Sequence, residues 1–167
     1  PECFSGRIKA PELGEFLAWQ QYYGFLKGVP GVAAACPVAG GQGFIERGGA
    51  AENVSVKGIV PEEGARVYRF DRNLRSGRAE LGGDSAVIGL TVAEKLRLEL
   101  GDRFFVRNSK GTGETFTVTG TVDLGSVQAN AQVFLSLDRA RSFLGLEGVS
   151  AIEVKVDDPF EAEALAA

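Results

Sequence analysis

The residues of this chain whose types suit chemistry are Asp71, Asp84, Asp102 and Asp123, Ser85 and Ser126, Cys3 and Cys36, and the glycines of "GGQG" at 40–43. Paired carboxylates do acid–base work when burial splits their pKa values. These four fall in turns or at element ends, where Asp is favoured because its side chain bonds the backbone. A serine nucleophile needs a base. The chain has no His, which removes the commonest base and the commonest metal ligand. Lys57, Lys95, Lys110 and Lys155 are left as partners for a Ser–Lys dyad, and no motif supports one. "GGQG" is not followed by a helix start or by the Lys and Ser/Thr of a phosphate loop, so it reads as a turn. Arg72, Arg75 and Arg78, at spacing three, read as one solvated face of a helical turn rather than as an anion site. Two cysteines do not make a zinc site. No catalytic residue, metal or cofactor is expected.

The elements that must position these residues belong to an ordinary globular chain. It has 167 residues, 44% apolar and 24% charged, enough for one domain or two small interleaved subdomains. The net charge of −4, with 18 basic against 22 acidic residues and no basic run, argues against a nucleic-acid partner. No apolar stretch approaches the roughly 20 residues of a membrane helix, and no signal-peptide pattern is present. There is no Met; the chain starts at Pro1 beside a strand-like run and stops inside the helix-like "DPFEAEALAA". It therefore reads as a domain taken out of something longer.

Residues 2–8 read as a strand. A helix is predicted from about 12 to 27, with Leu13, Phe16, Trp19, Tyr23 and Leu26 on one face, ended by Gly28 and Pro30. Residues 32–38 form a second strand, so the chain opens on a strand–helix–strand crossover unit. A short strand or hairpin follows around 44–46, then a glycine turn at 48–49 and an alternating strand at 53–60. Residues 61–82 lack a sustained period and read as loop with a short helical turn. A buried strand at 86–89 leads to a helix with Thr91 as N-cap and Glu94 completing a capping box. Val92, Ala93, Leu96 and Leu100 share its face, and Gly101 stops it. Strands at 103–107 and 115–122 flank the hairpin loop "NSKGTGE". Then come a strand at 132–135, a helix capped by Ser136 and ended by Gly145, and a strand at 151–156. Asp158, Pro159 and Glu161 start a last helix.

The succession "VPGVAAACPVAGGQGFI", "VSVKGIVP", "SAVIGLTVAEKLRLELGDRFFV", "FTVTGTVDLGS", "AQVFLSLDRARSFLG", "VSAIEVKVDDPFEAEAL" resembles the extracytoplasmic domain of MacB-like (FtsX-related) ABC transporter permeases. That family includes lipoprotein-releasing and efflux permeases. The resemblance runs from about residue 29 to the C-terminus. It implies an α+β fold, with a ferredoxin-like or porter-like subdomain built from 1–45 and 129–167 and a mainly β subdomain, 46–128, inserted between. It also implies a domain lying between the first two of four membrane helices, on the periplasmic face of the cytoplasmic membrane. Its partners would be a separate ABC ATPase subunit or domain and the flanking membrane helices. A second permease copy or a periplasmic partner would join them. No Walker motif is present, and the domain itself would be non-catalytic, relaying ATP-driven movement of the membrane helices. No segment can be assigned as a hook for a lipoprotein-releasing partner. The alternatives are a free-standing ligand-binding or adhesion module and, least supported without His, a hydrolase.

Two further expectations concern particular residues. Tyr22 and Phe25 point away from the apolar stripe of the first helix and are candidates for facing a partner, because exposed aromatics are enriched at interfaces; the other reading is that the inserted subdomain folds over them. If the first two strands are neighbours, Cys3 and Cys36 are placed for a disulfide; the other reading is two buried free thiols.

Overall fold

A computed structural model describes the backbone of residues 4–9 and 19–156, and the side chains of residues 20–155 other than Tyr22. The described elements are β1 (Phe4–Lys9), α1 (Trp19–Lys27), β2 (Val32–Arg47), β3 (Ala50–Ile59), α2 (Pro61–Val67), α3 (Phe70–Asn73), β4 (Leu74–Gly77), β5 (Ser85–Gly89), α4 (Leu90–Leu96), β6 (Arg103–Asn108), β7 (Gly113–Val122), β8 (Gln132–Ser136), α5 (Leu137–Leu144) and β9 (Ala151–Val156). The last predicted helix lies outside the described residues.

Two long strands organise the sheet, because each is shared by two neighbours along one edge. β2 pairs with β9 over its first half and with β6 near its end. β7 pairs with β6 over its first half and with β4 near its end. Their other edges carry β3 and β5, and β8 joins these two. The hydrogen-bonded path β2–β3–β8–β5–β7–β6 therefore returns to β2. This closed ring leaves its strands few free edges.

Alternation of side chains along the strands then fixes an inside. All six strands of the ring send apolar residues into one core: Ala39 and Ile45, Val54 and Val56, Val133 and Leu135, Ala86 and Ile88, Phe116 and Val118, Phe104 and Val106. Val92 and Leu96 of α4 and Leu137, Ala140 and Phe143 of α5 join the same core. The opposite faces of β2, β3, β5 and β8 carry Cys36, Val38, Ile59, Val87 and Phe134, which pack against Val67 and Phe70 of α2 and α3. A third, smaller core joins Leu26 of α1 to Ala35, Ile152 and Val154.

β1 pairs antiparallel with β9, and β9 pairs antiparallel with β2. The first two strands thus run parallel with the last strand between them, a split version of the predicted crossover unit. The fold is a mixed α/β one made mostly of strands. The hydrogen bonding is continuous from β2 through β3 to β8, across the boundaries at 45–46 and 128–129.

Several local expectations are corrected. "GGQG" is not a turn; residues 40–43 run extended inside the 16-residue β2. Its glycines are there for closeness. A Cβ on Gly41 would sit 2.6 Å from Leu144, and one on Gly43 would sit 2.8 Å from Val106. Residues 61–77 are α2, α3 and β4 rather than loop. Pro61 and the first-turn acids Glu62 and Glu63 start α2. Gly64 in its middle obscured the pattern, and is required because a Cβ there would meet Ile59 at 2.4 Å. Arg72, Arg75 and Arg78 share no helical face: Arg72 lies in α3, Arg75 in β4 and Arg78 just beyond. Thr91 is not an N-cap. α4 starts at Leu90 after Gly89, and Thr91 Oγ1 donates to the Val127 carbonyl at 3.1 Å. α4 also ends early, with Arg97 left-handed at φ 51° as its C-cap. Leu98 is then buried, at 4% exposure, and Leu100 is left 47% exposed.

Candidate functional site

Each of the four candidate aspartates holds a different arginine. Asp71 pairs with Arg69 at 3.3 Å, Asp84 with Arg139 at 3.1 Å, Asp102 with Arg47 at 3.2 Å and Asp123 with Arg75 at 3.1 Å. The hydrogen bond from Arg69 holds Asp71 below the usual carboxylate range. Asp123 is lowered first by the Asn130 amide, then by the Gly125 N–H and Arg75. A carboxylate held ionised in this way cannot serve as a general acid near neutral pH. Arg139 also bonds Glu114 at 2.8 Å, and that bond raises its pKa further. Its role is to tie α5 to β7 and to the turn before β5.

The Ser–Lys dyads do not assemble around Lys57 or Lys95. Lys57 is engaged by Glu153 at 3.0 Å and Lys95 by Glu52 at 3.3 Å. Ser126 Oγ accepts the Ala129 amide at 3.1 Å and closes its own turn. Among the described residues, no group of three or more His, Cys, Asp or Glu is placed to hold a metal ion. No described helix is long and apolar enough to cross a membrane.

The polar side chains that the fold does gather lie beneath α2. Glu153 of β9 is 8% exposed. Its carboxylate accepts from Lys57 Nζ of β3 and from the hydroxyl of Tyr68, the C-cap residue of α2. Lys57 Nζ also stands 5.0 Å from the centre of the Tyr68 ring. Cys36 lies opposite Glu153 in the β2–β9 register. Burial pushes its thiol up to about 12, so it stays protonated and unreactive at neutral pH. Tyr23 of α1 is pushed up first by burial and then by its hydrogen bond with Glu63 of α2. Glu63 also takes Lys27 at 3.3 Å. This arrangement has no exposed nucleophile and no free base. It pins α1 and α2 to the sheet. The sequence hid it, because Glu153 and Lys155 alternate with apolar residues in "AIEVKV" as a solvent face would, and α2 covers that face.

Phe25 is 71% exposed while Leu26 beside it is 4% exposed, so α1 buries one stripe and leaves an aromatic outside it. The Tyr22 side chain lies outside the described residues. So does Cys3. The condition for its pairing with Cys36 was neighbouring strands, and β9 stands between β1 and β2.

The model of the MacB-like periplasmic core domain matches residues 5–167. The chain belongs to this family. A MacB-like periplasmic core domain of this kind is similar to the lipoprotein-releasing system transmembrane protein LolC of Neisseria meningitidis serogroup B, with 26% identity over 163 residues. That match takes in 89% of this chain but only 39% of the relative's length. The fold is shared with the extracellular domain of the noncanonical ABC-type transporter YknZ from Gram-positive bacteria. There the TM-score is 0.66 at 17% identity, over 98% of this chain and 88% of that one. It is shared too with the periplasmic region of MacB from Actinobacillus actinomycetemcomitans, at TM-score 0.63 and 16% identity, over 96% and 79% of the two chains.

Proposed function

We propose that this MacB-like core domain is the non-catalytic, extracytoplasmic part of an ABC transporter permease, and that it relays ATP-driven movement of membrane helices to a substrate or partner outside the membrane. The observation that carries this reading is the family match over 5–167. The strand arrangement supports it, because Phe4 of β1 pairs with Val156 of β9. The start of β1 and the end of β9 thus lie side by side, as suits a domain hung between two membrane helices. The closed ring and the network beneath α2 add stiffness. A stiff body transmits a displacement applied at one end, whereas a soft one absorbs it.

On this reading the domain sits on the periplasmic face of the cytoplasmic membrane. It works with an ABC ATPase subunit or domain, in export or lipoprotein release. Residues 1–45 and 129–167 would form the porter-like part, and 46–128 the inserted part. Phe25, with Tyr22, would face a second permease copy or a periplasmic partner.

The test is made in the parent protein. Cysteines placed in this segment should react with a membrane-impermeant maleimide added outside the cytoplasmic membrane, and the parent should co-purify with an ABC ATPase. Labelling only after the membrane is broken would overturn the placement. The chain by itself should neither bind nor hydrolyse Mg-ATP. Measurable turnover in this chain would overturn the non-catalytic assignment.

A further inference from the structure

The end of the sheet where β1, β9 and β2 finish together also carries a cationic pocket. Val156 pairs with both Phe4 and Val32, and the neighbouring residues Ala33, Ala34 and Lys155 line a cavity of about 350 Å³. That is the small end of the range for ligand sites. Ala65 of α2 adds to an apolar floor, and Arg66, Arg69 and Lys155 supply three cations. The one carboxylate among the described lining residues is Asp71. The described lining thus carries two net positive charges on a chain whose net charge is −4.

Asp71 is held loosely. Arg69 reaches its two oxygens at 3.3 and 3.4 Å, longer than the roughly 2.7–2.9 Å of a tight charge-assisted pair. The Asp71 side chain is 66% exposed. Arg69 is aimed there by a left-handed backbone, φ 53°, unusual for a residue with a side chain. An arginine fork closed only by an exposed carboxylate, beside a lysine and over methyl groups, suits a phosphate ester: the charges take the oxygens and the alanines take the ester's carbons.

We propose that this pocket receives the phosphate of an anionic phospholipid headgroup, with Asp71 as the internal carboxylate that it displaces. The proposal rests on the permease reading above, which puts this end of the sheet towards the membrane. The shared chemistry is a phosphate-type anion, and a lipid is its source because the pocket lies at the end of the sheet that the permease reading turns towards the membrane.

The experiment measures sedimentation of the 167-residue chain with phosphatidylglycerol–phosphatidylcholine vesicles against phosphatidylcholine vesicles alone, at about 0.1 M salt, where screening already suppresses charges beyond about 10 Å. Binding to the anionic vesicles alone is expected. Arg66→Gln, Lys155→Gln and Arg69→Asn should each weaken it about fivefold, the effect of one basic group at an anionic surface. Asn is chosen at 69 because it tolerates the left-handed backbone. Asp71→Asn should tighten binding. Arg103→Gln, at the opposite end of β2 beside Arg47, should leave it unchanged. Thermal unfolding checks that every variant is folded.

Equal loss in Arg103→Gln and Lys155→Gln would show diffuse attraction and overturn the pocket. A thermal shift with inorganic phosphate but no vesicle binding would assign the site to a free anion and overturn the lipid. No binding of either overturns both. The maleimide test of placement is independent. If it fails while vesicle binding succeeds, the permease reading falls and the pocket stands as an anion site; the reverse result removes only the pocket.

Discussion

Replacing Gly58 by Ala tests how tightly α5 is seated on the ring. Gly58 lies in β3, and a Cβ built there would stand 2.3 Å from the Ala140 Cβ and 3.2 Å from both the Leu137 Cα and the Ser136 carbonyl oxygen. Carbon atoms pack at about 3.5–4.0 Å, so the nearest contact falls short by roughly 1.2–1.7 Å. The obstacle is helix backbone and the first side-chain carbon, not the end of a flexible chain. α5 cannot slide away freely. Phe143 is 1% exposed and its carbonyl accepts the Asn108 amide at 2.7 Å, while Arg139 holds Glu114 and Asp84. Overpacking of this kind costs about 1–3 kcal/mol. For a chain of this size each kcal/mol moves Tm by about 2–4 °C, so a fall of roughly 2–12 °C is expected in thermal unfolding followed by circular dichroism. The double variant Gly58→Ala/Ala140→Gly should be more stable than the sum of the single effects predicts, by about 1 kcal/mol, since the second change removes the nearest obstacle. A Tm for Gly58→Ala within a degree of the parent would refute the packing argument, and additivity in the cycle would refute its assignment to Ala140.

Gly24→Ala is the converse: nothing lies within 4 Å of the added Cβ in α1, so helix propensity alone should raise stability by about 0.5–1 kcal/mol, read as a higher urea midpoint. Glu153→Gln should lower stability by about 1–3 kcal/mol, because it leaves the Lys57 ammonium under α2 without its counter-charge, and urea unfolding at neutral pH measures it. Burial raises Cys36 from 9.0 to about 12; the folded state therefore holds a proton that the unfolded state releases between these values, and stability should be full below pH 9 and fall as pH rises towards 12. The slope from this one group is at most about 1.4 kcal/mol per pH unit, and Cys36→Ala should make Tm in that window less pH-dependent by that share. Alkylation of the unfolded, unreduced chain decides between the two readings of Cys3 and Cys36: two labelled cysteines rule the bridge out, and an unlabelled pair establishes it. Phe25→Ser, with or without Tyr22→Ser, should leave the stability of the chain within about 0.5 kcal/mol for the exposed Phe25 while transport by the full permease falls; unchanged transport would remove this face from the mechanism.

The alternating strands, many of the core residues they carry and the absence of His were legible along the chain, because period and composition are local properties. The strand at 115–122 was legible from its alternation, and Phe116 and Val118 lie in the ring core, whereas Val122, expected on the same face, packs in the core under α2 and α3. The succession of motifs was also enough to point to the family, since it depends on order along the chain and not on contacts. Tertiary structure alone decided the rest. The ring closes because β6 reaches both β2 and β7, a pairing between residues about 60 positions apart that no local pattern encodes. Gly41 and Gly43 read as turn residues and Gly58 as a small residue of an alternating strand, yet all three serve as gaps into which Leu144, Val106 and Ala140 fit. Glu153 read as solvent-facing until α2 covered it, and α2 itself was hidden by Gly64, whose missing Cβ makes room for Ile59. Thr91 satisfied a local capping rule, but the Asn130 backbone crowds Gly89, where a Cβ would stand 2.1 Å from the Asn130 carbonyl oxygen, and α4 starts there instead. Except for Gly64 and Ile59, five positions apart, the decisive contact comes from a distant part of the chain, and local propensity is worth only tenths of a kcal/mol per residue to about one against the several kcal/mol of a buried contact.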